Sequence, residues 1–171
     1  MALDISVERS ADAAELADLI NRVYADAEKG LWQPGTDRTN TAEVDSVIRA
    51  GELAVARLDG AVVGAVRVQR LADGEGEFGM LVASPEHRGV GIGRELVAFA
   101  EGWARAAGSP VMQLELLVPR TWTHPVKEFL RDWYTRLGYR EVRRDPFELA
   151  YPVLQPRLAT DCDFVVYHKE L

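Results

Sequence analysis

The stretch EHRGVGIGREL, Glu86–Leu96, sets Gly89, Gly91 and Gly93 at alternate positions between Arg88 and Arg94, directly before a helical pattern. Each interior glycine costs about 0.5–1 kcal/mol relative to alanine, so three together ask for a reason beyond flexibility. An anion supplies one. A helix start offers backbone N–H groups without intrahelical partners, with the positive end of the macrodipole behind them. Without a Cβ the glycine backbone approaches a phosphate closely, and Arg88 and Arg94 add charge-assisted contacts. Two familiar phosphate designs do not match. A mononucleotide P-loop ends in Gly-Lys-Ser/Thr, whereas Gly93 is followed by Arg94-Glu95, so no hydroxyl is placed for Mg²⁺. A dinucleotide fingerprint needs its third glycine one position later. The literal match at Gly74-Glu-Gly76-Glu-Phe-Gly79 precedes a strand and sets two carboxylates where phosphate would go, and reads as accidental.

The elements that must position this turn alternate in type. Leu3–Arg9 is strand-like, and Asp12–Ala27 places Leu16, Leu19, Ile20 and Val23 at helical spacing. Gly30–Asn40 reads as a loop with an exposed Trp32, followed by a helix over Thr41–Ala50. ELAVARL and AVVGAVRVQRL are strands joined by Asp59-Gly60, a dipeptide suited to a two-residue hairpin turn. A third strand, Glu77–Ala83, stops at Ser84-Pro85. After the glycines, Leu96, Phe99, Ala100, Trp103 and Ala107 predict a helix that Gly108 ends. VMQLELLV is a strand with Met112, Leu114, Leu116 and Val118 on one face. From Pro125 a further helix buries Val126, Phe129, Leu130, Trp133 and Leu137 and closes at Gly138. YREVR and DFVVYHKEL are the last strands, with an irregular Pro-rich segment over Tyr151–Arg157 between them. The class is α/β with a mixed sheet.

The 171 residues predict a single domain over 1–171. The 20 Lys+Arg are dispersed among 27 Asp+Glu for a net charge of −7, which argues against nucleic acid as a ligand. The N-terminal residues lack a basic region followed by an apolar run, and no apolar stretch approaches the ~20 residues that span a bilayer. The expectation is a cytoplasmic protein with no membrane partner. Cys162 is the only cysteine, so no internal disulfide forms, a Cys-rich zinc site is excluded, and a small buried hydrophobe is its expected status.

RGVGIG matches Arg/Gln-x-x-Gly-x-Gly/Ala, the acyl-CoA pyrophosphate motif of the GNAT superfamily of N-acetyltransferases. The preceding MLVASPEHRG looks like that family's fourth strand and its exit, and WYTRLGYREV is similar to the signature of its last helix and following strand. The resemblance spans nearly the whole chain. It implies a mixed sheet of about six to seven strands, splayed between the fourth and fifth, with about four flanking helices. It implies acetyl-CoA as cosubstrate, with no metal. Backbone of Leu81, Val82 and Ala83 would pair with the pantetheine arm, the Val82 amide would polarise the thioester carbonyl, and Arg88, Gly89, Val90, Gly91, Ile92, Gly93 and Arg94 would hold the pyrophosphate.

The implied reaction is direct transfer of acetyl to a primary amine of a small molecule. Alkyl amines resemble lysine, near pKa ~10.4, so some group must take a proton at neutral pH. Glu77, eleven residues before Arg88, matches the general-base glutamate of histone-type members, with Phe78 and Met80 as an apolar surround. Glu115 on the facing strand is a second candidate. Tyr134 matches the tyrosine that protonates the departing thiolate. Where many relatives carry an asparagine seven residues before that tyrosine, this chain has Lys127, which puts their water relay in question. Trp32, Gln33, His124 and Tyr151 are the expected acceptor contacts. A homodimer is consistent with the resemblance. The competing reading from another class is a non-catalytic acyl-CoA-binding sensor.

Overall fold

Asp59 and Gly60 take φ of 50° and 89° in the computed structural model, which describes residues 2–171. These are the left-handed central positions of a two-residue hairpin turn. The turn joins β2 (Leu53–Leu58) to β3 (Ala61–Arg70). β1 (Leu3–Val7) pairs with the outer side of β2, and β4 (Gly76–Ala83) with β3, all antiparallel. A second antiparallel ladder joins β5 (Val111–Pro119), β6 (Arg140–Pro146) and β7 (Cys162–Glu170), with β7 in the middle. The complete order is β1-β2-β3-β4-β5-β7-β6. Its halves meet only through β4 and β5, which run parallel and pair at Gly76↔Met112 and Glu77↔Gln113 before they part.

The parting begins at a bulge. Met80 has φ +50, and the β3–β4 register shifts between Ala65 and Arg67. An extra residue reverses the side on which later residues point. Phe78 accordingly packs into the core of one face, while Met80 and Val82 pack into the other.

α1 (Ala13–Ala27) and α2 (Thr41–Arg49) cover the Met80 face; Asp12 and Asn40 cap them by accepting the N–H groups of Glu15 and Glu43. α3 (Ile92–Ala106) and α4 (Pro125–Arg136) cover the Phe78 face. A third cluster joins Leu31, Leu117, Phe147 and Cys162, and burial there pushes the Cys162 thiol up to about 11. Phe147 starts α5 (Phe147–Ala150), a one-turn helix that apolar periodicity does not reveal. Among the described residues no helix is long and apolar enough to cross a membrane.

One face assignment needs correction. α4 does not bury Phe129, which is 61% exposed; it buries Lys127 and Tyr134. The helix is rotated to bring Lys127 to a buried carboxylate, a partner that hydrophobic spacing cannot register.

Gly64 on β3 faces the α3 start at close approach. A Cβ there would stand 2.8 Å from the Val82 carbonyl oxygen and 2.9 Å from Ile92 Cγ2. Gly64→Ala is expected to lower unfolding free energy by about 1–3 kcal/mol, read as a reduced urea midpoint at unchanged m-value.

Candidate active site

The chain leaves β4 through a tight turn over Pro85–His87. Ser84 Oγ donates to Glu86 at 2.6 Å, and Arg22 of α1 pairs with the same carboxylate at 2.6 Å. The Ser84 hydroxyl above all, then backbone amide and Arg22, hold the Glu86 carboxyl down at about 2. The glycine turn follows. Gly89 and Gly91 both have φ +83, and Gly91 is the N-cap of α3 with no side-chain capping bond, so the first N–H groups of the helix lack a side-chain acceptor. A Cβ at either position would meet nothing within 4 Å, so the left-handed backbone, rather than crowding, demands glycine here. A cleft of about 630 Å³ opens over this turn, between Val23 and Asp26 of α1 and Val126 and Trp133 of α4. Arg88 and Arg94 line it and form no ion pair among the described residues.

Backbone direction along β4 settles which amides face the gap. Ser84 N–H donates to the Val63 carbonyl at 2.7 Å across the β3 ladder. N–H groups two residues apart point to the same side of a strand, so Val82 N–H also turns toward β3, where it opposes Ala65. The expected oxyanion role of the Val82 amide is therefore corrected: the ladder consumes it. Leu81 and Ala83 are the members of the trio whose amides face the side that β5 has left.

Tyr134 stands on α4 with its ring 5.1 Å from Trp133 and 6.1 Å from both Phe78 and Tyr139. The residue is 6% exposed, and burial holds its phenol far above the ordinary tyrosine value, with Tyr24 adding a smaller effect. Among the described residues its hydroxyl has no hydrogen-bond partner.

Glu77 lies on the opposite face of β4 from Phe78, so Phe78 is corrected as part of its apolar surround. Its Oε1 accepts Gln69 Nε2 at 3.0 Å and its Oε2 accepts Gln113 Nε2 at 2.7 Å. Gln113 is buried, and its carbonyl oxygen meets His168 Nε2 at 2.8 Å, which fixes the direction of the amide. Glu115 is two residues further along β5 and shares that face. Burial raises its carboxyl, the negative charges of Glu77 and Asp145 raise it further, and Arg143 and the Tyr151 hydroxyl lower it. The structure thus brings Glu77, Glu115 and Tyr151 together and adds Gln69, Gln113 and His168. These additions could have been sought at alternate strand positions facing the two glutamates.

Trp32, Gln33 and His124 have other partners. Trp32 Nε1 donates to Glu28 Oε1 at 3.0 Å, and Gln33 binds backbone of Arg157 and Leu158 at 2.8 and 3.3 Å. His124 Nε2 donates to the Lys29 carbonyl at 2.9 Å, and Nδ1 accepts Val126 N–H at 3.2 Å as the N-cap of α4. Both ring nitrogens are engaged and the residue is buried, so no lone pair is left for a proton from substrate. Lys127 Nζ donates to Glu28 Oε2 at 2.7 Å, with both side chains under 8% exposed. These contacts tie the loop after α1 to α4 and to the C-terminal segment.

The acetyltransferase (GNAT) domain family matches residues 49–141, from the end of α2 to the start of β6. The chain belongs to the GNAT acetyltransferase family. No curated protein sequence matches the chain significantly. Among solved structures, one provisionally named a streptothricin acetyltransferase, from Bacillus anthracis with acetyl coenzyme A, is 17% identical over 70% of this chain and 61% of that one, with TM-score 0.56. N-acetylglutamate synthase from Neisseria gonorrhoeae, with coenzyme A and N-acetylglutamate, is 20% identical over 100% of this chain and 35% of that one, with TM-score 0.67. A GNAT-family acetyltransferase from Staphylococcus aureus is 15% identical over 99% of each chain, with TM-score 0.69. The chain spans less than two thirds of the first two proteins, and these likenesses show the fold.

The Lys127–Glu28 pair carries its own expectation. Lys127→Met leaves a buried carboxylate without its counter-charge and should cost about 3–5 kcal/mol in urea unfolding. Adding Glu28→Gln to it should recover part of that loss.

Proposed function

We propose that this GNAT acetyltransferase transfers the acetyl group of acetyl-CoA directly to a primary amine of a small molecule. The supporting observation is the meeting in one cleft of Ala83, at a strand edge without a partner strand, with a glycine-capped helix start, beside Trp133, against which the unpartnered Tyr134 packs. The donor set suits the cosubstrate: N–H groups of Gly89–Gly93 with Arg88 and Arg94 for a diphosphate, and edge amides of Leu81 and Ala83 for an amide-bearing arm. When bound, acetyl-CoA supplies an activated acyl group with a thiolate leaving group.

The chain's own residues then move protons. An alkyl amine near pKa ~10.4 arrives protonated. Glu115 takes that proton, and this reading ranks it ahead of Glu77, whose two oxygens already accept amide N–H groups. The fixed charge of Glu77 raises the proton affinity of Glu115 toward the range a base needs. Burial keeps the Tyr134 phenol protonated well beyond neutral pH, so it remains a donor toward the departing sulfur. A binding module without chemistry would instead show heat with coenzyme A but no thiol release from acetyl-CoA across a panel of primary amines.

Three measurements test the proposal. Gly91→Val forces a branched side chain into a left-handed backbone at about 1–3 kcal/mol, so coenzyme A should bind roughly tenfold or more weakly by calorimetry. Tyr134→Phe should lower kcat by about 10²-fold while coenzyme A affinity holds. The pH profile follows from Glu115, which must be ionised to act. Because its carboxyl is raised, kcat/KM should fall as pH drops through a midpoint above the ordinary glutamate value. Glu77→Gln removes a negative neighbour and should move that midpoint to lower pH, whereas Glu115→Gln should abolish the acid limb together with most of the activity. A limb that follows Glu77 and ignores Glu115 would reverse the two roles.

A further inference from the structure

Resting on the reading of the glycine turn as the holder of a diphosphate, we infer that His87 is a further cosubstrate-binding residue, whose Nε2 meets the diphosphate of acetyl-CoA only when the ring is protonated, so that binding takes up a proton.

The inference starts from one hydroxyl proton. Ser84 and His87 bracket the tight turn after β4, and His87 N–H donates to the Ser84 carbonyl at 3.1 Å. Ser84 is buried, and its Oγ lies 2.6 Å from Glu86 Oε2 and 3.2 Å from His87 Nδ1. Glu86 is pinned by Arg22 of α1 at 2.6 Å, and a carboxyl held down at about 2 is an anion at neutral pH that can only accept. The single Ser84 proton therefore goes to Glu86. Oγ is left as an acceptor, so Nδ1 has to donate to it. The neutral His87 ring thus carries its proton on Nδ1 and a bare lone pair on Nε2.

That lone pair has no hydrogen-bond partner among the described residues. His87 is half-buried and lines the cleft of about 630 Å³ together with Arg88, Gly89, Gly91 and Arg94. A lone pair in such a place repels phosphate oxygens. A proton from solvent added to Nε2 converts it into an N–H donor on a cation, which makes a charge-assisted bond to the same oxygens. While Ser84 donates to Glu86, the neutral ring has no second way to present an N–H there.

The charged groups around the ring limit where the proton can go. Glu86 and Arg88 share its turn, α1 contributes Arg22 and Asp26, α3 contributes Arg94, and from α4 the cleft receives Val126 and Trp133, which are uncharged. The arginines stay cationic and Glu86 stays ionised over about pH 5–8, where imidazoles change charge, so a proton taken up there goes to His87 or to Asp26. Arg88 and Arg94 lack counter-ions in the same lining, and an entering diphosphate offsets their charge and draws the proton onto Nε2. A diphosphate diester has no proton of its own to take up in this range, whereas a phosphate monoester takes one up near pH ~6.

The test is calorimetry of the full chain with dephospho-coenzyme A, whose only phosphates form the diphosphate, at about pH 6 and about pH 8.5 in buffers of differing ionisation enthalpy. Wild type should bind roughly tenfold more weakly at the higher pH and take up protons on binding. His87→Asn keeps an N–H for Ser84 but cannot charge, and should bind with less than about a twofold difference between the two pH values and without uptake. Asp26→Asn should retain both the difference and the uptake. Ser84→Ala frees the neutral ring to carry its proton on Nε2, so the loss of affinity at high pH should shrink to about threefold or less. Wild-type affinity independent of pH, a dependence that survives in His87→Asn or disappears in Asp26→Asn, or an undiminished loss in Ser84→Ala would each overturn the inference. A dependence seen with coenzyme A and absent with dephospho-coenzyme A assigns the proton to the 3′-phosphate and overturns it as well. No heat with either ligand at any pH defeats the reading of the glycine turn itself, while pH-independent heat defeats only the role of His87.

Discussion

Everything in the cleft depends on β4 leaving β5 after two residue pairs. A buried strand edge with unsatisfied amides and carbonyls is costly, and proteins ordinarily cover or pair it. Here the bulge at Met80 makes the departure unavoidable. A methionine at φ +50 is unfavourable, at about 1–3 kcal/mol, and persists only where surrounding contacts fix it. Those contacts are visible: Met80 is 3% exposed in the α1–α2 core, while Phe78, two residues earlier, is held in the α3–α4 core. Relaxing the bulge would turn one of them out of its core. β5 is held in turn by β7 along its whole length, so it cannot follow. The free edge of Leu81 and Ala83 is thus maintained by packing on both sides rather than by local preference.

The same cleft is closed off by polar contacts between distant segments. Arg22 with Glu86 ties α1 to the turn after β4, and Lys127 with Glu28 ties the end of α1 to α4. A buried ion pair is a poor source of net stability but a good one of geometric choice. Lys127 and Tyr134 are seven residues apart, two turns on one helix face, so the rotation that satisfies Glu28 also turns Tyr134 inward. Trp32 on the other oxygen of Glu28 extends the constraint to the C-terminal segment through its bridge with Leu158. Lys127, which departs from the family pattern, is in this way the residue that sets the direction of the expected acid.

Much of the architecture was legible because its causes are local. Asp59-Gly60, the glycines before α3, the Pro125 helix start and the alternation of β5 each act within a few residues, and the splay between the fourth and fifth strands followed from the family signature. Three features were not legible, for a shared reason. The direction of the Val82 amide depends on a bulge that leaves no local pattern. The surroundings of Glu77 depend on Gln69 across an irregular register and on Gln113 across a parallel pair. The burial of Lys127 depends on a carboxylate 99 residues away. His124 shows the same limit in reverse: its position before Pro125 suggests a loop histidine, yet its Nδ1 caps α4 and its Nε2 holds Lys29. Side-chain type identified candidates, and only tertiary contacts separated those with free valences from those already bonded.

The distribution of charge around the splayed strands then bears on a chain that is acidic overall. With a net charge of −7, a general attraction for anions is absent, so a polyanionic cosubstrate needs concentrated local donors. The glycine turn supplies them as backbone dipoles, which cost no reorganisation and carry no counter-charge, with Arg88 and Arg94 left unpaired beside them. On the proposed acceptor side the reverse holds, because the negative charge of Glu77 adds to burial in raising the Glu115 carboxyl. In the proposed reaction, separating the two signs would let an anionic donor and an ammonium approach without competing for the same groups. The splayed strands are what keep the two signs apart, since a fully paired β4 and β5 would leave no opening between the glycine turn and the glutamates.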